Sequence, residues 1–119
     1  MENIIDLLSV YGTTTAAAAA AAAAQNKFST TFYADFTIAD HFGASAVRDT
    51  FNRAFDEWKD DYRYLTDLVI VLNHKIWQHY ECGNVVLSRL YDELWRKADE
   101  YAWNTLQGDQ QDYYFRMTD

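Results

Sequence analysis

The chain contains no proline, and four glycines, Gly12, Gly43, Gly83 and Gly108, are its only strong interruptions to helix in 119 residues. A backbone so free of breakers predicts an all-α fold cut near those positions. Between them, apolar residues recur at threes and fours, the period of a helix with one buried face. Val47, Phe51, Ala54, Phe55 and Trp58 form such a stripe over 45–59. Leu65, Leu68, Val69, Leu72, Ile76 and Tyr80 form another over 62–82, where the run LVIVL widens the apolar surface enough to predict the central helix. Asn84 is placed to cap a third, over 84–107, with Leu87, Leu90, Tyr91, Leu94, Ala98, Tyr101 and Ala102 on one face. Three long helices joined by short turns predict antiparallel neighbours in a small bundle.

The rest of the chain is expected to pack on that bundle or extend from it. Residues 2–11 place Ile4, Ile5, Leu7, Leu8 and Tyr11 on one side of a short helix that Gly12 would end. Ala16 to Ala24 form an unbroken run of the strongest helix former. This is either a spacer helix or a stretch where alanine stands in place of other native side chains; the sequence leaves both open. Residues 29–36, STTFYADF, mix β-branched and aromatic residues and are expected to be irregular or weakly helical, with Phe32, Phe36 and Ile38 docking on the core. Thr37 would then cap a brief turn, IADHFG, with Asp40 at the capping-box position. The length suits one domain, 1–119, with 1–27 semi-independent. The tail is expected to add a last turn that packs Tyr114 or Phe115 back on the bundle.

The stretch FTIADHFGASAVRDTF, residues 36–51, has the outline of a DNA-reading helix-turn-helix, with Ala39 and the turn glycine Gly43 four apart. Such a motif needs an apolar anchor about six residues after that glycine and basic or amide side chains on the exposed face. Asp49 occupies the anchor position, while Val47 and Phe51 fall in register with a core; Arg48 and Arg53 share their helix with Asp49, Asp56 and Glu57. A DNA-binding regulator using Ala44 to Arg53 is therefore the alternative, and direct nucleic-acid binding is disfavoured. The net charge of −8 points the same way: it opposes approach to nucleic acid and anionic membranes, and every quarter of the chain is net acidic.

Chemistry-bearing clusters are sparse. His74 and His79 are five apart, about 140° around a helix, and so form no clamp. With His41 remote and Cys82 the single cysteine, no metal site and no cofactor are expected, and no disulfide within the chain. Asp92 with Arg96, Glu93 with Lys97 and Arg96 with Glu100 have the spacing of a solvent face braced by ion pairs. The run DEWKDD supplies Asp56, Glu57, Asp60 and Asp61 at a helix end and the following turn, an acidic corner whose later carboxylates suit the next helix's N-terminus. The acidic start and short apolar segment of MENIIDLLSVYG match neither a signal peptide nor a membrane span, so a soluble intracellular chain is expected.

Aromatic residues make up 17% of the chain, about twice an ordinary share, with nine Tyr, seven Phe and four Trp. Core stripes absorb many of them. Trp77, Trp95, Trp103, Tyr113 and Tyr114 fall at or beyond the stripe edges, and exposed Trp and Tyr beside carboxylates are what a contact with a basic protein would use. Asp56, Glu57, Asp60, Asp61, Trp77, Trp103, Tyr113 and Tyr114 are accordingly the candidate partner-binding residues. Self-association through the apolar N-terminal helices is a second possibility.

Residues 30–119, above all the phrases DTFNRAFDEWK and VLNHKIWQHYE, resemble a group of small acidic helical proteins encoded by phages and prophages of gut Firmicutes. The alanine run is not part of the resemblance. The group has no established activity, so no catalytic residue is carried over. The resemblance implies a phage-derived protein acting in the bacterial cytoplasm. Joined to an acidic surface with spare aromatics, it leads to the expectation of a non-enzymatic protein-binding module, an inhibitor of a bacterial defence system in the manner of an anti-CRISPR, whose partner is a basic nucleic-acid-binding protein.

Overall fold

The computed structural model describes residues 27–119, which fold into five helices with no strand among them. In chain order these are α1 (Lys27–Phe42), α2 (Ala44–Trp58), α3 (Tyr62–Glu81), α4 (Val85–Thr105) and α5 (Gly108–Thr118). The three long helices expected from periodicity are α2, α3 and α4, with ends shifted by one or two residues. The bundle also contains α1 and α5, which periodicity did not separate as full helices. The helices expected over 2–11 and the alanine run lie outside the described residues.

Helix α3 is the centre, as the LVIVL run predicts: it packs against each of the other four, most extensively against α4. Ten of its 20 residues are buried. Leu65, Leu68, Val69 and Leu72 interleave with Val47, Phe51 and Phe55 of α2 and Leu90, Tyr91, Leu94 and Ala98 of α4 in one core. Polar atoms on this helix are met where they stand: Thr66 Oγ1 donates to the carbonyl of Tyr62 at 2.6 Å, and Ser88 Oγ of α4 donates to that of Ile76 at 2.9 Å. Tyr80 departs from the expected stripe. It is 63% exposed, next to Trp77, because the core-facing arc of α3 ends before it.

The turns set direction. Asp61 caps α3, its side chain accepting from Arg63 N at 3.1 Å, and Asn84 caps α4, accepting from Leu87 N at 3.1 Å. Both short connections make α3 antiparallel to its chain neighbours. Helices α2 and α4 consequently run parallel, and their side chains meet in step: Arg48 pairs with Glu93 at 3.2 Å, Lys97 Nζ lies 5.7 Å from the Phe51 ring centroid, and Phe55 meets Tyr101 edge-on at 5.2 Å. Of the intrahelical pairs expected on α4, Asp92 with Arg96 forms at 3.0 Å. Glu93 and Lys97 instead turn toward α2, because the parallel neighbour offers each a closer partner.

Helix α1 corrects two expectations. Residues 27–42 form one continuous helix, where an irregular or weakly helical segment followed by a separate capped turn is expected from the sequence. Its Ser, Thr and aromatic residues are indifferent helix formers, but Phe32, Phe36 and Ala39, at i, i+4 and i+7, bury a stripe in the core, and that packing outweighs propensity. Ile38 lies off this stripe and is 59% exposed. Thr37 caps nothing: its hydroxyl donates back to the Tyr33 carbonyl at 2.8 Å, and Asp40 faces the bundle.

One residue separates α1 from α2. Gly43 donates to the Ala39 carbonyl at 3.1 Å, ending α1, and accepts from Val47 N at 3.1 Å, opening α2. It does both at φ 102 and ψ −172, a region open essentially to glycine. A Cβ there would meet no atom within 4 Å, so only the backbone objects. Gly43→Ala is expected to destabilise the protein by about 1–3 kcal/mol, read as a lower urea midpoint with an unchanged slope.

Candidate functional site

The α2–α3 turn, the C-terminal end of α4 and the start of α5 meet at one end of the bundle, and most of the candidate partner-binding residues collect there. Asp60 Oδ1 accepts from the Tyr101 hydroxyl at 2.9 Å; the hydrogen bond to this carboxylate raises the Tyr101 pKa. Lys59 bends back over the rings of Phe55 and Tyr101, 5.7 and 5.8 Å from their centroids, leaving the carboxylates at the rim. Tyr62 meets Tyr113 edge-on at 5.3 Å, and the Arg63 guanidinium lies 5.7 Å from the Tyr62 ring. Burial, then the charge of Asp67, push the Tyr113 hydroxyl pKa up. Asp56 and Glu57 stand exposed on the last turns of α2. Trp103, 43% exposed, is held edge-on by Phe115 at 5.0 Å.

Two of the eight candidates fall elsewhere. Tyr114 is a core residue: its ring is buried and its hydroxyl donates to Asp99, with burial and that carboxylate raising its pKa. It anchors α5 to α4, which realises the expectation that the tail packs back on the bundle and removes Tyr114 from the surface. Trp77 is 50% exposed but lies 15 residues along α3 from Tyr62, about 22 Å toward the opposite end.

The structure adds residues that sequence reading overlooked. Asp109, Asp112, Phe115, Arg116 and Asp119 line a shallow depression of about 510 Å3 on α5, the helix whose Tyr113 meets Tyr62. A signal was present, since 109, 112, 116 and 119 follow the helical period; it was hidden because a tail this short was expected to form only one turn.

A second polar cluster lies inside the bundle. Lys75 of α3 is buried, and its ammonium donates to Asp40 Oδ2 and Thr37 Oγ1 of α1, both at 2.9 Å, with the Tyr33 ring centroid 4.6 Å away. His79, one turn on, directs Nε2 to the same Asp40 oxygen at 2.9 Å; Tyr91 of α4 donates to the other oxygen at 2.6 Å. Burial pushes the Asp40 carboxyl up, but His79, Lys75 and Tyr91 together outweigh it and hold its pKa below the usual carboxylate value. Burial lowers the Lys75 pKa, with Asp40 opposing. Burial and the Asp40 charge raise the Tyr91 hydroxyl. Asp40 of α1 thus receives Lys75 and His79 from α3 and Tyr91 from α4, so the cluster clasps α1 onto α3 and α4. The depressions described in this structure lie elsewhere on its surface. His74 and His79 are thus helix-packing histidines, and among the described residues no group of three or more His, Cys, Asp or Glu is placed to hold a metal.

His74 sits beside this clasp, its ring against Tyr33 at 5.2 Å and its Nε2 without a hydrogen-bond partner; Gln78 Oε1, one turn on, is likewise buried and unpartnered. Burial, then the adjacent Lys75 charge, lower the His74 pKa from 6.5 to about 4. In the unfolded chain this histidine takes a proton as pH falls through 6.5; in the fold it resists until about 4. Stability is therefore expected to fall between those values, by a loss on the order of 3 kcal/mol, and Asp40 adds a further loss below its ordinary value of 3.8. Urea midpoints at pH 7, 5.5 and 4 check this, and His74→Phe should flatten the upper part of the profile.

Neither a protein-family model, nor a curated protein, nor a solved structure matches this chain. No helix among the described residues is long and apolar enough to cross a membrane.

Proposed function

We propose that this chain is a protein-binding module whose acidic, aromatic end occupies a basic, nucleic-acid-binding surface of another protein. The observation that carries this is the convergence of Asp60, Asp61 and Tyr62, from the α2–α3 turn and the start of α3, with Tyr101 of α4 and Tyr113 of α5, continued by Asp109, Asp112 and Phe115 on α5. Tyr and Trp anchor protein interfaces through large area at small entropic cost, and carboxylates around them complement Lys and Arg and steer their approach. The two are interleaved here: Tyr101 holds Asp60 in place, and Tyr62 and Tyr113 brace each other beside the Asp61 cap. A rim of carboxylates spaced along a helix corner also imitates the charge that such a partner is built to receive.

Joined to its resemblance to phage and prophage proteins, this makes the chain an inhibitor of a bacterial defence system, anti-CRISPR-like in action, working in the host cytoplasm without catalysis or a cofactor. Pull-down from host lysate, with and without nuclease, compares the wild type with Asp56→Asn/Glu57→Gln/Asp60→Asn. A protein partner retained after nuclease, weakened severalfold by the variant and by raised salt, is the expected result. Recovery of no protein, or of nucleic acid alone, refutes the proposal.

A further inference from the structure

Helices α1 and α2, joined at Gly43, diverge enough to leave an open groove of about 930 Å3 between them. Its floor is apolar and low: Phe32 and Ala39 of α1 and Ala46 and Ala54 of α2. Three alanines let another backbone come close without displacing anything. One wall carries Ile38 and Phe42, one turn apart on α1 and 59% and 78% exposed; Trp58 closes the far end. The lined stretch of α1, residues 31–42, is about 16 Å long, the reach of about three helical turns. An apolar floor of that length with projecting apolar side chains is the geometry of a helix-in-groove site, where the occupant presents residues at i, i+3, i+4 and i+7.

The charge at the edges selects the occupant. Asp35, Asp49 and Glu57 line the groove against a single cation, Arg53. The one amphipathic segment of this chain outside the described residues, 2–11, carries Glu2 and Asp6 and no basic residue, so it would bring like charge to that rim. A second copy of a chain at −8 meets the same opposition. We propose that the α1–α2 groove seats an amphipathic helix of a partner protein, apolar on the face it buries and bearing Lys or Arg along its flanks. This rests on the module binding a protein, and it extends the contact: Glu57 and Trp58 belong both to the groove and to the last turn of α2 that leads into the acidic corner.

The probe is a synthetic amphipathic helix of leucine and lysine, about 14 residues long, titrated into the full-length isotope-labelled protein. Amide shifts along 35–54 are expected, with affinity reduced about tenfold or more by Ile38→Gln/Phe42→Gln. Glu81→Gln/Glu100→Gln, which removes two exposed charges outside the groove and outside the candidate binding residues, is expected to leave the affinity nearly unchanged, and a leucine–glutamate helix is expected not to bind. Shifts confined to the acidic corner, or affinity indifferent to the groove variant, overturn the groove while leaving the pull-down result standing. A spin label at Ile5→Cys in a Cys82→Ser background reports on the other occupants without peptide. Concentration-independent broadening at Ile38 and Phe42 assigns the groove to the chain's own N-terminal segment. Broadening that grows with concentration assigns it to a second copy, and either result overturns the proposal.

Discussion

Asp40→Ala is expected to destabilise the protein by about 3–5 kcal/mol, the largest effect of any single polar substitution outside the turns, because it leaves the Lys75 ammonium buried with no opposite charge. The loss comes less from the attraction forfeited than from the charge abandoned. Lys75 has one acceptor left, Thr37 Oγ1, and the hydroxyl of Tyr91 loses the carboxylate that receives its proton. The origin of the loss is separable by replacing the ion pair together with the Tyr91 hydroxyl. In Asp40→Leu/Lys75→Met/Tyr91→Phe no buried charge or hydroxyl is stranded, and most of the stability should return, since well-packed apolar residues commonly replace a buried ion pair at little cost. Urea denaturation of both variants measures the difference. A triple variant as unstable as Asp40→Ala would show that the clasp supplies net stabilisation, not only the correct seating of α1.

Phe51→Ala is expected to cost about 3–5 kcal/mol, the range for emptying a closed aromatic site. Phe51 is wholly buried, stacked on Phe55 at 5.3 Å with 14° between the rings, and covered by the Lys97 ammonium. Asp49, two residues away on the exposed face of the same helix, should tolerate Asn within about 0.5 kcal/mol. The contrast bears on the helix-turn-helix outline of residues 36–51. The helices and the glycine turn of that outline exist, and Val47 and Phe51 are core anchors on either side of an exposed Asp49. A recognition helix in the expected register would reverse the two effects.

Helices α2, α3 and α4 were legible because their burial is one-sided and periodic, and because Asp61 and Asn84 cap by side chains whose spacing shows in the sequence. Helix α1 was not, for two physical reasons. Its residues are weak helix formers, so its continuity depends on packing of Phe32 and Phe36 that no local window contains. Thr37 and Asp40 stand three apart, which imitates a capping box, while the true partner of Asp40 is Lys75, 35 residues on. A buried lysine is invisible by composition, since lysine is ordinarily a solvent residue. At the acidic end, Asp60 and Asp61 could be placed from DEWKDD, but adjacent tyrosines could not be told apart: Tyr113 reaches Tyr62 at the surface while Tyr114 turns into the core. One residue is 100° of helix, enough to exchange an interface side chain for a packing one.

The central claim, that this chain competes with nucleic acid for a basic partner, is tested most directly with the partner captured by pull-down, purified and loaded with a fluorescent oligonucleotide. Titrating in the wild-type chain at physiological salt should release the oligonucleotide, seen as falling anisotropy, while Asp56→Asn/Glu57→Gln/Asp60→Asn should require severalfold more protein for the same release. An anisotropy that holds or rises as the chain is added, with oligonucleotide and chain bound to the partner together, would contradict the account.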